Sequence, residues 1–358
     1  MVDVAGSTDN DGLDFHGVGH NSAGAQQSHR RGVIAVKPAP LAQSPVSELP
    51  FRSLSPYLRA RFGREVHRVA LDAGSTCPNR DGSKGFGGCV YCDVDGSGNA
   101  ELKSGFQLAE QLERGIERVL RRDPNSGVIA YFQSYSNTYV ERSRLKEVLQ
   151  VVEPYLKDRV CAVSIATRPD TLPAEALELL SELAQRVPVW IELGLEAADD
   201  ALLAKIKRFH TVQDFSSAVE RSQAAGLEVI GHAILGLPGD GREGARRTAR
   251  LFAETGVDGV KVHNLMVLRR TQLEQWYRQG AVAVLDTETY VDWLADFIER
   301  LAPHQILHRL SGDAPADERI APTRQVHASE IRMRLLAELE GRKSRQGCRL
   351  GERSQPVP

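Results

Sequence analysis

The alternation of short apolar runs with amphipathic helical stretches constrains this chain more than any other feature. The apolar runs are VHRVALDA (66–73), GVIAYFQ (127–133), VCAVSIAT (160–167), PVWIELGLE (188–196), EVIGHAILGL (228–237) and VDGVKVHNLMVL (257–268). Between them, helical periodicity runs near 107–122, 142–156, 174–186, 199–225 and 241–255. Most of the runs are almost continuously apolar, as strands covered on both faces must be. A strand followed by a helix, repeated along the chain, implies right-handed crossovers and a parallel sheet. Closing that sheet gives a full or partial TIM-type barrel. Leaving it open gives a doubly wound sheet, and periodicity does not separate the two.

In either arrangement ligands bind at the carboxyl ends of the strands, and the uncommon polar residues fall there. Cys77 follows the first strand, Gln133, Ser134 and Asn137 the second, and Thr167, Arg168 and Asp170 the third. Glu192 and Glu196 lie in and after the fourth, Gly236-Leu237-Pro238-Gly239 ends the fifth, and His263 and Asn264 sit within the sixth. One rim therefore collects the chemistry.

The densest part of that rim is TCPNRDGSKGFGGCVYCD, which holds Cys77, Cys89 and Cys92. Gly82, Gly85, Gly87 and Gly88 lie between the first two cysteines, so this backbone can fold tightly around an inorganic object. Structural zinc is normally closed by four ligands, and a cubane [4Fe–4S] cluster usually takes four cysteines. Three thiolates leave one position open for a substrate or cofactor. An iron–sulfur cluster, a zinc site and structural or redox thiols all remain readings of the spacing. No fourth ligand stands nearby, since Cys161 lies inside an apolar strand and Cys348 in a polar tail, which favours the open cluster.

Residues 1–50 are rich in Gly, Ser, Asp, His, Gln and Pro and read as a disordered extension. Residues 51–270 read as the core barrel, 271–341 as a C-terminal α/β extension packing on it, and 342–358 as a mobile tail. The net charge of −2 carries no global signature of nucleic-acid binding. No apolar run reaches the ~20 residues that span a bilayer, no secretory signal opens the chain, and the five cysteines do not form a disulfide framework. The expected location is cytoplasmic, with no membrane partner.

With its cysteine loop, strand order and polar rim, the chain resembles the radical SAM superfamily. Within it, the chain is similar to the YhcC-like group, related to the Elongator catalytic subunit and to oxygen-independent coproporphyrinogen oxidase. The segments that carry the resemblance are LDAGSTCPNRDGSKGFGGCVYCD, YFQSYSNTY, SIATRPD, ELGLEA, GHAILGLPGD, VDGVKVHNL and HRLSGD, in that order over residues 55–340. The resemblance implies a partial (β/α)6 barrel in which Cys77, Cys89 and Cys92 ligate three irons of a [4Fe–4S] cluster. S-adenosylmethionine (SAM) would chelate the fourth iron, and its reductive cleavage would give a 5′-deoxyadenosyl radical. Tyr91 would pack on the adenine or the cluster. Where many relatives carry Gly-Gly-Glu for the SAM ammonium, this chain has Phe132-Gln133-Ser134-Tyr135-Ser136-Asn137-Thr138, so Gln133 and Asn137 are the candidates. Arg168 would hold a carboxylate or phosphate, unless it simply pairs with Asp170. Glu192 would meet an ammonium or a ribose hydroxyl, and Gly236 would let the backbone approach the adenine, unless it only makes the turn into the next helix. His308, Arg309 and Asp313 would contact substrate or close the open side of the barrel. The implied partners are an electron donor such as flavodoxin or ferredoxin and, by analogy, a tRNA substrate. A porphyrin-type small-metabolite oxidase and a non-catalytic zinc-binding protein are the alternatives.

Overall fold

The computed structural model describes residues 49–92 and 105–352. Expectations for residues 1–48 and 353–358 therefore lie outside the described residues. Helix α1 (Leu54–Phe62) precedes strand β1 (Val66–Leu71), and the chain then runs α2 (Leu108–Leu120), β2 (Gly127–Phe132), α3 (Arg142–Gln150), β3 (Val160–Thr167) and α4 (Ala174–Ala184). It continues through β4 (Val189–Glu196), α5 (Asp200–Lys205), α6 (Val212–Ala224), β5 (Glu228–Leu235), α7 (Gly241–Thr255) and β6 (Gly259–Asn264). The last part holds β7 (Val267–Leu268), α8 (Gln272–Arg278), α9 (Thr287–Glu299), β8 (Ile306–Arg309), β9 (Arg319–Ala321) and α10 (Ala328–Gly341).

Seven parallel strands form one sheet in the order β1-β2-β3-β4-β5-β6-β8, while β7 and β9 make a small antiparallel pair. The sheet is curled, because Arg68 on the first edge strand reaches His308 on the last at 3.3 Å. This is the partial TIM-type barrel rather than the open sheet. The seventh strand comes from the C-terminal extension, which thus extends the barrel as well as packing on it. Every residue of β2 and β4 is buried, as the continuous apolar runs require.

One helix differs from expectation. The stretch 199–225 is two helices, not one. Asp199 caps α5 by accepting from the Leu202 amide at 2.9 Å, and Thr211 with Asp214 forms a capping box that starts α6. Lys207 and Phe209 adopt positive φ in the loop between them. That loop carries Arg208 back toward the barrel mouth.

The segment 342–352, expected as the start of a mobile tail, is docked. The Gln346 amide nitrogen donates to the Ala302 and Gln305 carbonyls at 2.7 and 2.8 Å, and Arg349 pairs with Glu299 at 3.0 Å. Its polar composition hid this, because it is held by hydrogen bonds and charge rather than by apolar burial.

Candidate active site

The cysteine loop is a folded unit rather than an open tether. The Cys77 carbonyl accepts from the Arg80 and Asp81 amides at 2.8 and 3.2 Å, and the Pro78 carbonyl accepts from Lys84 at 2.8 Å. These turns bring the chain back so that the Gly88 amide meets the Asn79 carbonyl at 2.9 Å, one residue before Cys89. Gly88 sits at φ +82, and a Cβ there would lie 3.2 Å from the Arg80 guanidinium, so glycine serves both the turn and the close approach. Val90 is clamped through its amide to the Ile206 carbonyl at 3.2 Å and through its carbonyl to the Leu273 amide at 2.8 Å.

Cys77, Cys89 and Cys92 all line one cavity of about 750 Å³ that opens at the carboxyl ends of the strands and continues into the barrel. Their sulfurs are surrounded by donors. Asn79 lies 3.4 Å from the Cys89 sulfur, the Arg208 guanidinium 3.8 Å from the same atom, and the Arg80 guanidinium 3.1 Å from the Cys92 sulfur. Arg208 also donates to the Gly194 carbonyl at 2.6 Å and pairs with Glu196 at 3.6 Å. Burial would weaken its charge, but Tyr91, Cys89 and Glu196 more than restore it. Glu196 has φ +76, an uncommon backbone for a non-glycine residue, at the point where the β4–β5 register shifts. Gly194 makes room for this pair, since a Cβ there would lie 2.5 Å from the Glu196 carboxylate.

The structure redistributes the other expected site residues. Tyr91 and Gln133 line the cavity. The Tyr91 hydroxyl is buried without a partner, and burial holds its phenol well above the usual range. Asn137 does not line the cavity. Its side-chain amide donates to the carbonyls of Phe132, Ser134 and Ala166 at 2.9–3.1 Å, so it braces the β2 loop. Gly236 does not line the cavity either; at φ +91 it turns the chain, and a Cβ there would press on Leu285 at 3.1 Å. Arg168 is buried and bonds Asp170 through two nitrogens at 2.9 and 2.8 Å, as in the ion-pair reading. Its third nitrogen, Nη1, is buried without a partner, while other parts of the residue line the cavity.

Glu192 faces the interior as alternation requires, but its oxygens are already engaged. Ser164 donates to one oxygen at 2.6 Å, while His232 at 2.8 Å and Lys261 share the other. Burial would raise its carboxyl, yet Lys261 and His232 hold it well below the usual range. Lys261 is itself pushed down to about 7 by burial, against the pull of Glu192. Its ammonium also stands 4.1 Å from the centre of the Tyr131 ring. His263 stacks on His232 at 5.6 Å between ring centres, and Asn264 and Asp313 line the mouth. Sequence reasoning missed Arg80, Arg208, Arg68 and Lys261. The Thr211-x-x-Asp214 capping signature would have exposed the Arg208 loop, and the inward alternation of β1 and β6 would have placed Arg68 and Lys261.

Residues 76–252 match the family described as the Radical SAM superfamily, and residues 257–340 match the Radical_SAM C-terminal domain. Protein YhcC of Escherichia coli (strain K12) is 34% identical over 266 residues, covering 74% of this chain and 84% of that protein. A tRNA uridine(34) acetyltransferase of Dehalococcoides mccartyi (strain CBDB1) is 27% identical over 173 residues, 48% of this chain and 37% of that protein. Among solved structures, an N-terminally truncated archaeal Elp3 from Methanocaldococcus infernus shares the fold with a TM-score of 0.63 at 19% identity, over 78% of this chain and 64% of the other. The fold and the cysteine loop thus define a radical SAM enzyme, and the chain belongs to that superfamily. Within it, the chain falls in the YhcC-like group related to the Elongator catalytic subunit.

The cofactors of this family are a [4Fe–4S] cluster and SAM, and the residues present fit them. Three soft thiols open into one cavity, with guanidinium and amide donors beside the sulfurs, as an anionic cluster requires. Among the described residues, no three His, Cys, Asp or Glu side chains converge on a position for a single metal ion. No helix among the described residues is long and apolar enough to cross a membrane.

Proposed function

We propose that Cys77, Cys89 and Cys92 hold the cluster, that the adjoining cavity holds SAM, and that a substrate seated deeper in the barrel gives up a hydrogen atom. The observation that supports this most is that the three thiols and the polar lumen share one continuous cavity. When bound, the cluster and SAM supply a 5′-deoxyadenosyl radical; the protein supplies binding, orientation and exclusion of water. Arg80 and Arg208 set the positive field at the sulfurs. Glu196, fixed by Arg208 on the cavity wall, replaces Glu192 and Asn137 as acceptor for the SAM ammonium, with Gln133 beside it. Arg168, which lines the cavity, supplies positive charge toward the SAM carboxylate, and Tyr91 packs under the adenine or the cluster. An electron donor of the flavodoxin or ferredoxin type would meet the exposed face of the cysteine loop, where Phe86 is 79% exposed.

For the substrate, the likeness to a tRNA uridine(34) acetyltransferase supports a tRNA base. A specific observation favours the second reading, a small metabolite: the lumen ends in a cationic layer below the rim. The test is iron, sulfide and 5′-deoxyadenosine measured on anaerobically reconstituted protein. Cys77→Ala, Cys89→Ala and Cys92→Ala should each lose the cluster and SAM cleavage, whereas Cys161→Ala and Cys348→Ala should keep both. Full cluster content in any of the first three would sink the ligand assignment. Faster 5′-deoxyadenosine release on adding bulk tRNA would favour the base; no response would favour the metabolite.

A further inference from the structure

The barrel lumen is stacked in layers. At its amino-terminal end, Val66, Ile129, Ala162, Trp190 and Ile230 pack with Leu58 of α1 into a separate apolar cluster that plugs the barrel. Directly above lies a charged layer containing Arg68, Glu192, Lys261 and Arg309. Arg68 stands three residues before the end of β1, so this layer lies about 10 Å below the rim where the cysteines sit.

The charges in this layer do not balance. Its one carboxylate among the described residues, Glu192, is bound by Lys261 and His232. Arg68 meets only the His308 ring at 3.3 Å, and its Nε is buried without a partner. Among the described residues, the Arg309 side chain makes no hydrogen bond or ion pair, although its backbone pairs with β6. Asp313, Asp317 and Glu318 line the same cavity, yet none forms an ion pair with either guanidinium. For Arg68, whose Nε is buried, a missing counter-ion is costly, and folds normally pair such groups. Burial and the nearby Arg309 both press the Arg68 charge down, while Glu192 and Tyr131 pull it back up. Among the described residues, two guanidiniums of the layer are left without a counter-charge.

We infer that Arg68 and Arg309, backed by Lys261, form a subsite for an oxyanion of the substrate, a carboxylate or a phosphate. Two guanidinium forks on opposite edges of the curled sheet suit such a group, which accepts several charge-assisted hydrogen bonds at once. That the oxyanion belongs to a substrate of hydrogen abstraction rests on the function proposed above. The subsite itself can be read without the cluster.

The experiment is thermal unfolding of the full chain without cluster, in inorganic phosphate or in malonate, against chloride at equal ionic strength. One of the two anions should raise the wild-type midpoint by about 2 °C at concentrations several times its Kd. Arg309→Gln and Arg68→Gln should abolish that rise, and Arg309→Lys should keep part of it. A larger response to malonate assigns a carboxylate, and a larger response to phosphate assigns a phosphoryl group. No rise in the wild type, or the same rise in wild type and Arg309→Gln, overturns the subsite. Arg309→Gln alone decides this should Arg68→Gln fold poorly. After reconstitution, Arg309→Gln should bind SAM like wild type; a loss of more than about tenfold would assign the guanidinium to the SAM carboxylate and overturn the substrate subsite. Failure of the cysteine variants to lose the cluster would damage the proposed function and leave the anion result standing.

Discussion

Two groups of charge in this protein, one between helices and one in the barrel lumen, are built on opposite terms. Outside the barrel, between α7, α9, α10 and the docked segment 342–352, Asp296 receives Arg242, Arg246 and Arg342. Asp292 takes Arg242 and Arg342, while Glu299 takes Arg342 at 3.3 Å and Arg349 at 3.0 Å. Arg300 reaches Glu352 at 3.1 Å. Every guanidinium in that knot meets a carboxylate. In the lumen, among the described residues, Arg68 and Arg309 meet none, and the layer's carboxylate is taken by a lysine. The knot joins helices and gives each of its guanidiniums a carboxylate, although Arg300 Nε stays buried without a hydrogen-bond partner. The lumen is complete only with something added, which separates charge that holds a fold from charge that awaits a ligand.

The comparison can be pressed hardest at Glu192. Replacing it by Gln removes the only counter-charge in the lumen layer and should cost about 3 kcal/mol of stability, read by denaturant unfolding. Adding Lys261→Met to that variant should recover part of the loss, because the stranded ammonium goes with it. A Glu192→Gln protein as stable as wild type would mean that solvent already balances the layer.

A smaller effect is expected in the outer knot. Asp296→Asn should cost about 2 kcal/mol, toward the lower end for a buried pair because Arg242 and Arg246 remain 39% and 27% exposed. Burial would raise the Asp296 carboxyl, but Arg242 and Arg246 hold it below its usual 3.8. A carboxyl depressed in the folded state contributes stability above 3.8 that fades as pH falls toward the depressed value. The gap between wild type and Asp296→Asn should therefore close in acid, and a gap that stays constant down to the acid limb would refute the ion-pair account.

The smallest effect is expected at Arg309, where Gln should change stability by no more than about 0.5 kcal/mol in the absence of added anion. A loss several times larger would show that Arg309 is paired in solution, and the contrast between lumen and knot would collapse.

Much of this architecture was legible in the chain. Continuous apolar runs spaced by amphipathic stretches fix parallel strands and their covering helices, because burial on both faces leaves no other pattern. The cysteine spacing and its glycines mark the loop that gathers three thiols, and alternation along WIELGLE places Glu192, Gly194 and Glu196 on one face. Asn137 braces a loop and Gly236 a turn away from the cavity lining, and local pattern does not separate these roles, because a polar amide or a glycine at a strand end looks the same in sequence whether it serves a ligand or a turn. Arg208 was hidden in a stretch read as one helix, although Thr211 and Asp214 announce the break.

The sequence by itself determined the alternation of strands and helices, the side of the sheet that carries chemistry and the loop that holds three cysteines, since these depend on local periodicity and spacing. Only the tertiary structure decided which charges find partners. The curl of the sheet brings Arg68 to His308 across 240 residues and leaves Arg309 without a carboxylate, whereas the polar segment after Gly341 finds its counter-charges on α9. Pairing depends on distances between elements remote in sequence, and no local pattern encodes those.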